Sequence, residues 1–559
     1  MLLSNLNLLA TAPGGVARLR ELILTLAVQG KLVPQDPNDE PASELLKKIR
    51  AEKDRLIAGK KIRRSKLLDP IDESECGFVL PTNWEWERLG NLGDWGAGAT
   101  PSRSNSNYYG GGIPWFKSGE LTADFISESE ETVTDAALRE CSLRLNQIGD
   151  VLIAMYGATI GKTAILSVVA TTNQAVCACT PFVGLSNIYL LLLMKALKPY
   201  FISIGAGGAQ PNISREKVVA TVIGLPPLAE QSRIVTRVEE LMRLCDALES
   251  KGLLEAAQHA QLVSTLLATL TDSETPAQLA NNWHRIATHF DLLLDRPQAV
   301  DALEQTILQL AVRGLLVPQD PQDEPASVLL KKIRAEKDKL IAGGKIKRDK
   351  PLPPISDDEQ PFALPQGWSW ARFPDVCAIS GGATPSKAIP QNWEGSIPWV
   401  SPKDMKVPHI ADAQDHVSDA AVRGSLSLIP SGSLLMVVRG MILAHSFPVA
   451  ETLAPVTINQ DMKALTPFEP EVLSFLALLC RGMKPEILAL IDRSSHGTCK
   501  LESPKIFGLP IPLPPLAEQS RIVTRVAQLR RLCFELRQRL SVSQSTQAHL
   551  AEALVAQLS

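Results

Sequence analysis

The sequence lacks the cysteine patterns that mark a disulfide scaffold or a zinc site. Its nine cysteines include no Cys-x-x-Cys pair and do not alternate with histidine. The longest apolar run, from Ile188 to Met194, is far shorter than the roughly 20 residues that span a bilayer. The N-terminus also lacks a basic region followed by a cleavable apolar stretch. We therefore expect a cytoplasmic protein whose thiols are reduced and mostly buried.

An excess of charge of one sign is also missing. The chain has 57 Lys and Arg against 60 Asp and Glu, a formal net charge of −3. This balance argues against a protein that binds nucleic acid alone and without sequence preference, because phosphate neutralisation supplies nearly all the affinity of such a protein. The remaining composition, 45% hydrophobic and 21% charged over 559 residues, is typical of a globular protein with several domains.

The motifs of common enzyme classes are absent. The sequence has no Gly-x-Ser-x-Gly, no His-Glu-x-x-His, no Gly-x-Gly-x-x-Gly and no Asn/Asp-Pro-Pro-aromatic tetrapeptide. The run from Gly157 to Thr163 resembles a phosphate-binding loop, but it has three residues where that loop needs four before its Gly-Lys pair. We expect a glycine turn there. A self-sufficient NTPase or nuclease acting on DNA stays open as the alternative function.

The chain repeats itself. Ile23 to Lys66 recurs as Ile307 to Lys350 with about 35 of 44 positions identical. Leu225 to Val238 recurs without change as Leu513 to Val526. Self-similarity of this degree indicates an internal duplication.

Two divergent segments, at about 78–224 and 362–512, lie between the repeated blocks. They share short landmarks in the same order, namely Trp-x-Trp, Gly-Ala-Thr-Pro-Ser, Ile-Pro-Trp and Asn-Gln. Both contain short apolar runs bounded by Gly, Pro, Asn and Ser, with one helix-like stretch each, which is typical of mixed α+β domains. We predict that the two segments share a fold and differ in surface.

The two ends of the chain also fit the repeat. Ala548 to Leu558 parallels Ala260 to Leu270, and Leu8 to Leu19 parallels Leu292 to Leu303. This circular arrangement predicts that the two termini meet in space and complete a second copy of the central region.

A helix is predicted after each of the two repeated Pro-Pro pairs. Apolar residues at alternating steps of four and three form a heptad seam there. We expect helices of about 28 residues, roughly 42 Å long, which would match about 12 base pairs of B-DNA. The two seams either pair with each other or pack on the adjacent globular domains. The seam positions are Ile234, Val238, Leu241, Cys245 and Leu248, and Ile522, Val526, Leu529, Cys533 and Leu536.

Each repeated block also predicts a shorter amphipathic helix. Asp39 is the expected N-cap of the first and Gly59 its stop, and the counterpart runs from Asp323 to Gly343. Acidic residues interrupt the basic residues of these helices. This favours a solvated face with ion pairs, or a surface for a partner protein, over a phosphate track.

Polar and basic side chains lie in the Gly- and Pro-rich loops of the divergent segments, and loops on a rigid scaffold are where recognition usually resides. Lys and Arg bond phosphates or guanine, Asn and Gln bond adenine, and Tyr or His stacks on a base. The competing interpretation for each is an ordinary solvated loop residue. The DNA-binding candidates are Ser102, Arg103, Lys117, Tyr156, Lys162, Asn173, Gln174, Gln210 and Asn212, and Ser386, Lys387, Lys403, Arg439, Asn459, Gln460, His496, Thr498 and Lys500.

Taken together, the motifs resemble the specificity subunits of Type I restriction-modification systems. The resemblance rests on Leu-Pro-Pro-Leu-Ala-Glu-Gln-Ser-Arg-Ile-Val, Gly-Ala-Thr-Pro-Ser, Ile-Pro-Trp and Leu-Ala-Val-x-Gly-x-Leu-Val-Pro-Gln, each present twice, and it covers essentially the whole chain. It implies an α+β protein with two globular mixed α/β target recognition domains. Long antiparallel coiled-coil helices would separate these domains, in a circular pseudo-twofold internal repeat.

The resemblance divides the chain into five segments. These are an N-terminal helical conserved region (1–77), a first target recognition domain (78–224), a central helical conserved region (225–361), a second target recognition domain (362–512) and a C-terminal helical conserved region (513–559). The second recognition segment has Met-Val-Val-Arg-Gly where the first has Ala-Met-Tyr-Gly, and His-Gly-Thr-Cys-Lys where the first has Gly-Ala-Gln-Pro-Asn. The two segments are therefore expected to read different halves of a bipartite, asymmetric DNA target.

The same resemblance implies partners and cofactors. The chain would bind double-stranded DNA, two modification (methyltransferase) subunits and two restriction (translocase and nuclease) subunits, and no membrane. S-adenosylmethionine, for adenine-N6 methylation, and ATP with Mg²⁺, for translocation and cleavage, would lie on those partners. No catalytic residue, cofactor site or metal site is then expected on this chain. An assembly scaffold without DNA contacts is a third possibility.

Overall fold

A computed structural model describes residues 8–205, 211–348, 352–493 and 498–558 of the protein. The chain divides into two compact units. Unit 1 consists of Met1–Leu254 and Gln544–Ser559, and unit 2 of Glu255–Ser543. Both boundaries fall inside long helices. Each unit therefore combines one divergent segment with helices of the repeated blocks, and the five predicted segments stay predictions.

Unit 1 is a mixed helical and sheet structure. Several of its helices begin after a Ser or Thr whose hydroxyl accepts a backbone N–H, namely Thr134, Ser186 and Ser214. Its helices are α1 (Gly15–Val28), α2 (Ala42–Ala58), α3 (Asp135–Glu140), α4 (Asn187–Ala196), α5 (Lys198–Gly205), α6 (Arg215–Ala220) and the first part of α7 (Leu228–Thr271). Its strands are β1 (Glu85–Arg88), β2 (Gly93–Ala97), β3 (Tyr109–Phe116), β4 (Phe125–Ile126), β5 (Glu131–Val133), β6 (Val151–Ala154), β7 (Thr163–Leu166), β8 (Thr171–Thr172), β9 (Val176–Pro181) and β10 (Val222–Leu225).

The strands of unit 1 form three sheets. The largest has five strands in the order β2-β9-β6-β7-β4, the next has the order β5-β3-β8, and β1 pairs with β10. In the five-stranded sheet β2, β9, β6 and β7 are antiparallel to their neighbours, whereas β4 is parallel to β7.

Both faces of the five-stranded sheet are buried. Val151 and Ile153 pack with α4, whereas Leu152 and Ala154 pack with Phe116 on the opposite face. A strand buried on both faces is apolar at every position, which explains why β6 is a continuous apolar run in the sequence.

Unit 2 repeats this topology with sheets in the orders β12-β19-β16-β17-β14 and β15-β13-β18 and the pairs β11-β22 and β20-β21. The shared fold of the two divergent segments is therefore confirmed. The helices of unit 2 are the last part of α7, α8 (Pro276–Thr288), α9 (Phe290–Leu293), α10 (Pro297–Val312), α11 (Ala326–Ala342), α12 (Phe373–Val376), α13 (Asp419–Ser425), α14 (Leu473–Gly482), α15 (Lys484–Ala489), α16 (Ser503–Gly508) and the first part of α17 (Leu516–Leu558). Its strands are β11 (Ser369–Ala371), β12 (Cys377–Gly381), β13 (Ile397–Val400), β14 (His409–Ile410), β15 (Asp415–Val417), β16 (Leu434–Val437), β17 (Val449–Thr452), β18 (Thr457–Ile458), β19 (Met462–Pro467), β20 (Asp492–Arg493), β21 (Cys499–Lys500) and β22 (Ile511–Leu513).

The two long helices exceed the expected length. α7 has 44 residues and α17 has 43, which at 1.5 Å per residue gives about 66 and 65 Å. The expectation of about 28 residues was therefore wrong. The span of about 12 base pairs was calculated from that length, so it is wrong as well. The helices continue because helical backbone does not require the heptad seam. The seam marks only the first packed part of each helix, and the far ends pack again, at Val263 in α7 and Ala551 in α17.

The seam residues of each helix pack in the core of their own unit, which is the second of the two expected arrangements. Pairing of one seam with the other stays a prediction. The buried seam residues are Ile234, Val238 and Cys245 in unit 1, and Ile522, Val526 and Cys533 in unit 2.

The end of α17 completes the core of unit 1. Ala551 is buried there with Leu9, and Leu554 packs against the same core. Arg18 and Glu552 form an ion pair at 3.1 Å. The predicted meeting of the two chain ends is thus confirmed.

The predicted N-caps of the two shorter helices were wrong, while their predicted stops at Gly59 and Gly343 are confirmed. α2 begins after Pro41, which makes no side-chain cap. Asp39 instead accepts hydrogen bonds from Arg233 at 2.5 and 3.1 Å. A long-range cation thus competes successfully for the carboxylate, and Asp323 and Arg521 repeat the pair.

Within the described ranges no single helix is long and apolar enough to cross a membrane. Among these residues only α4 and α5 reach the length and hydropathy of a membrane span when taken together, and they are bent by 53° relative to each other.

Candidate nucleic-acid interface

The loops that carry the unit 1 candidates meet at one edge of the five-stranded sheet. β2 ends where Ala97 pairs with Cys177 near the start of β9, and β6 ends where Ala154 pairs with Val176. β7 begins at Thr163, beside the end of β6. The connecting loops therefore leave the sheet on the same side. We call this edge with its loops the unit 1 rim; it brings together Ser102, Arg103, Lys117, Tyr156, Lys162, Asn173, Gln174 and Asn212.

Hydrogen bonds tie the Gly-Ala-Thr-Pro-Ser loop to the Asn-Gln loop. Ala99 N donates to Thr172 O at 3.0 Å, and the Thr100 hydroxyl donates to Gln174 Oε1. A Cβ on Gly98 would lie 2.2 Å from Thr172 O, so only glycine allows this approach. The repeated Gly-Ala-Thr-Pro-Ser motif therefore fixes the backbone of the rim.

Arg103 and Lys117 share one carboxylate. Nη1 and Nη2 of Arg103 lie 2.5 and 3.3 Å from the Glu131 oxygens, and Lys117 Nζ lies 3.0 Å from Oε1. The bond from Arg103, followed by that from Lys117, lowers the pKa of Glu131 to about 2. The guanidinium also lies over the rings of Tyr109, at 4.6 Å, and Trp115, at 5.2 Å. Arg103 is thus held in one orientation.

Tyr156 and Asn212 form an isolated antiparallel bridge, and both side chains are exposed. Ser102 is also exposed, while Lys162 is half-buried and its carbonyl accepts a bond from Ala154 N at 2.8 Å. An exposed ring beside an exposed amide can stack on a base and bond its edge.

The run from Gly157 to Thr163 does not have the structure of a phosphate-binding loop. The short 3-10 helix Gly157–Thr159 is followed by strand β7 and not by a helix. Such a loop needs the N-terminus of a following helix to face the phosphate. The expected glycine turn is confirmed, with φ of +61° at Gly157 and +76° at Gly161.

Unit 2 builds the same edge from β12, β19, β16 and β17. Val437 pairs with Met462 where β16 ends and β19 begins, and the Thr384 hydroxyl donates to Gln460 Oε1 as Thr100 does in unit 1. Arg439 and Lys500 form the isolated bridge that matches Tyr156 and Asn212. The unit 2 rim brings together Ser386, Lys387, Lys403, Arg439, Asn459, Gln460, Thr498 and Lys500.

The two rims differ in the chemistry of their side chains. In unit 2 an exposed arginine and an exposed lysine replace the tyrosine and the asparagine of the bridge. Lys500 Nζ lies 3.0 Å from Glu502, and Arg439 Nη1 lies 3.8 Å from Asp461. Lys403 Nζ lies 2.8 Å from Asp415.

The two asparagines of the Asn-Gln pairs shape their own loops. Asn173 Oδ1 accepts a bond from Ala175 N at 3.1 Å, and Asn459 Oδ1 accepts one from Asp461 N at 3.1 Å. These are Asx turns, in which the side chain replaces a backbone partner. Asn459 is only 6% exposed. The glutamine that follows each asparagine is exposed and is the better placed of the two to meet a base.

Two candidates, Gln210 and His496, lie outside the described residues. Sequence reasoning missed Glu131 and Asp415, the carboxylates that hold the rim cations, and also Tyr109 beneath Arg103. One signal was available, because the three glycines before Ile-Pro-Trp in unit 1 indicate a bulge that brings the preceding aromatic residue close to the tryptophan.

Side chains that could bind a metal ion are not grouped in the described part of the chain, and most cysteines are buried. In residues 8–205, 211–348, 352–493 and 498–558 no cluster of three or more His, Cys, Asp or Glu side chains could hold a metal ion. Seven of the nine cysteines are buried. Burial raises the pKa of the Cys177 and Cys480 thiols to about 12, which keeps them protonated and unreactive.

The repeated motifs outside the rims meet in a partly buried network in each unit. In unit 1 the Glu of Leu-Ala-Glu-Gln accepts bonds from a tryptophan and from the Gln of Val-Pro-Gln, and the Arg of Ser-Arg-Ile-Val pairs with an aspartate near the start of α2. Unit 2 repeats each contact. The residues are Glu230, Trp84, Gln35, Arg233 and Asp39, and Glu518, Trp368, Gln319, Arg521 and Asp323.

The chain is similar to known proteins of one family. The family model of the Type I restriction modification DNA specificity domain matches it twice, at residues 81–258 and 365–542. The Type I restriction enzyme EcoAI and EcoEI specificity subunits of Escherichia coli are 36% and 35% identical to it, each over 97% of this chain and 93% of the relative. A solved chain from a study of assembly and conformational transition in the type I R-M system is 18% identical, with a TM-score of 0.46, and the match covers 86% of this chain and 98% of that one.

Two copies of one mixed α/β fold, each with a rim of polar and basic loops, define a duplicated recognition protein. The family match over both copies and the identity over nearly the full length make the assignment specific. The chain belongs to the family of Type I restriction-modification specificity subunits. Specificity subunits recognise DNA and do not catalyse, so the alternative of a self-sufficient NTPase or nuclease is not supported.

Proposed function

We propose that each unit reads one half of a bipartite, asymmetric DNA target through its rim. The observation that carries this proposal is the pair of equivalent bridges, Tyr156 with Asn212 and Arg439 with Lys500. The same backbone presents a ring and an amide in one unit and two cations in the other. Because base contacts specify sequence while phosphate contacts only position the protein, this difference favours two different half-sites.

The charge of the chain is compatible with this role. A formal charge of −3 is an average over 559 residues, and each rim carries cations in its loops, several of them paired with carboxylates. A subunit that shares its DNA with partner subunits does not have to supply the phosphate neutralisation alone.

The partners in this proposal are two modification subunits and two restriction subunits. S-adenosylmethionine, ATP and Mg²⁺ reside on those subunits and not on this chain. Membership of the specificity-subunit family supports the assembly. Large apolar side chains exposed on the long helices also support protein partners; they include Leu244, Leu253 and Leu254 on α7, and Leu532, Phe534 and Val542 on α17.

The test is an exchange of residues 78–224 for the equivalent segment of a relative, followed by strand-resolved mapping of methylated adenines. We expect one half-site to change while the other half-site and the unread spacer stay the same. A continuous target, or an exchange that alters both half-sites or neither, would contradict the proposal.

A second test separates DNA reading from a scaffold role. Gln174→Ala and Gln460→Ala remove an exposed amide from each rim, together with its hydrogen bond from Thr100 or Thr384, and leave the Asx turns intact. We expect each to weaken sequence preference in its own half-site. Unchanged sequence-specific binding in both variants would favour an assembly scaffold without DNA contacts.

A further inference from the structure

The loop that carries Arg103 is fixed by two aromatic side chains. The Tyr109 hydroxyl donates to Pro101 O at 2.6 Å, and Trp115 Nε1 donates to Ala99 O at 3.1 Å. The two rings meet edge to face with centroids 6.0 Å apart. The guanidinium of Arg103 lies over both rings, so its plane is set before any ligand arrives.

A bulge in β3 places Tyr109 there. Tyr109 and Ile113 both pair with Val133, so the residues between them are looped out of the β3–β5 register. Gly110 has φ of +79°, and a Cβ on Gly111 would lie 2.3 Å from Val133 O. Glycine is required at both positions, for backbone conformation at the first and for space at the second.

Glu131 fixes the remaining freedom of Arg103. The carboxylate accepts one N–H from Nη1 and one from Nη2, which leaves three of the five guanidinium N–H groups. The side chain of Arg103 is still 56% exposed. An arginine held in this way loses little conformational entropy when it forms a bidentate contact.

The local charges do not favour a phosphate contact at this place. Arg103 and Lys117 face Glu130 and Glu131, with Lys117 Nζ 2.9 Å from Glu130 and 3.0 Å from Glu131. Two cations and two carboxylates cancel, so the cluster offers no net attraction to the DNA backbone. What it offers is a planar donor group in a fixed orientation, which suits the O6 and N7 acceptors of guanine in the major groove.

We propose that Glu131 is a positioning residue for base reading, which holds Arg103 so that its remaining N–H groups bond one guanine of the first half-site. This inference rests on the proposed function of the rims. In unit 2 Asp415 stands opposite Trp399 in the register of its sheet, as Glu131 stands opposite Trp115, and it holds Lys403. The unit 2 rim therefore has its own positioning carboxylate, Asp415, which holds a lysine instead of an arginine.

The test uses the full chain assembled with its modification subunits, and it measures base preference at every position of both half-sites. We expect Glu131→Gln to reduce the preference for guanine at one position of the first half-site about tenfold or more, with the second half-site unchanged. Arg103→Lys keeps the charge but loses the planar fork, so it should reduce the same preference. Binding to unrelated DNA should be as tight as in the wild type or tighter, since Glu131→Gln removes a negative charge.

Two matched variants serve as controls. Glu130→Gln makes the same charge change on a carboxylate that contacts Lys117 and not Arg103, so guanine preference should persist. Asp415→Asn should alter the second half-site only. The inference is overturned if Glu131→Gln leaves every base preference intact, if Glu130→Gln has the same effect, or if both half-sites weaken together. A wild-type complex without separable half-sites would instead contradict the proposed function itself.

Discussion

The indole N–H of Trp84 donates to Oε2 of Glu230 at 3.0 Å, and both side chains are buried. Gln35 Nε2 donates to the other oxygen of the carboxylate at 2.7 Å. Glu230 lies in the first turn of α7, Trp84 just before β1, and Gln35 between α1 and α2. The contact therefore joins the long helix, the divergent segment and the N-terminal helices of unit 1 at one point.

Removing the Glu230 carboxylate should destabilise unit 1. In Glu230→Ala, the buried Trp84 N–H loses its acceptor while the exposed Gln35 amide keeps its bond to Gly30 O at 3.3 Å, and we expect the free energy of unfolding to fall by about 2 kcal/mol. Glu230→Gln should have a smaller effect, because its amide oxygen can still accept. Urea unfolding followed by tryptophan fluorescence measures both changes. Glu240→Ala, an exposed site on the same helix, is the control, and an equal loss there would contradict a special role for Glu230.

The ionisation of Glu131 gives a pH prediction. Its pKa in the folded protein is lowered from 4.5 to about 2. A lowered pKa means that the stabilisation from its ion pairs is fully present above about pH 4.5 and disappears as the pH falls through about 2. Carboxyl NMR titration should give a midpoint near 2. Arg103→Ala should move the midpoint up toward 4.5, and an unchanged midpoint would show that Arg103 is not the cause.

Two adjacent residues near the end of α17 test whether this end of the helix completes the core of unit 1. Ala551→Asp buries an unpaired carboxylate in the core and should cost roughly 2–4 kcal/mol. Glu552→Ala removes only an exposed ion pair with Arg18, which is worth about 0–1 kcal/mol. Hydrogen exchange should show that Ala551→Asp reduces protection in unit 1 while protection in unit 2 is kept. If protection falls equally in the two units, or does not fall in unit 1, the end of α17 does not complete the core of unit 1.

The close approach at Gly98 predicts that one substitution will affect both the stability of the protein and its recognition of the first half-site. A Cβ there would lie 2.2 Å from Thr172 O, so Gly98→Ala should separate the two loops, cost about 1–3 kcal/mol and abolish reading of the first half-site. Gly119→Ala is the matched control, because a Cβ there meets nothing within 4 Å. Thermal unfolding and methylation mapping measure the two effects. If a complex that contains Gly98→Ala still methylates the normal target, the contact between the two loops is not needed for reading the first half-site.

Patterns of neighbouring residues, and the repetition of motifs, correctly predicted those elements that depend on short stretches of sequence. The apolar run Val151 to Ala154 is strand β6, the glycine at 59 ends α2, and the paired motifs mark two copies of one fold. Each of these follows from neighbouring residues or from repetition.

Contacts between residues far apart in the chain could not be predicted in this way. Asp39 was expected to cap a helix, but Arg233, 194 positions away, takes its carboxylate. Glu131 was not among the candidates because nothing near it in sequence indicates Arg103. The extent of α7 was underestimated because the helix continues past its apolar seam through the exposed residues 249–258.

The equivalent bridges at Tyr156 with Asn212 and at Arg439 with Lys500 have a consequence for how such genes diverge. The bond pattern that holds the strands belongs to the backbone, whereas the side chains above it are exposed and carry little of the folding energy. If each rim reads bases as proposed, a point mutation there would change the target sequence while the protein still folds. New target sequences can therefore arise by small inherited steps, and the two halves of one gene can acquire them independently.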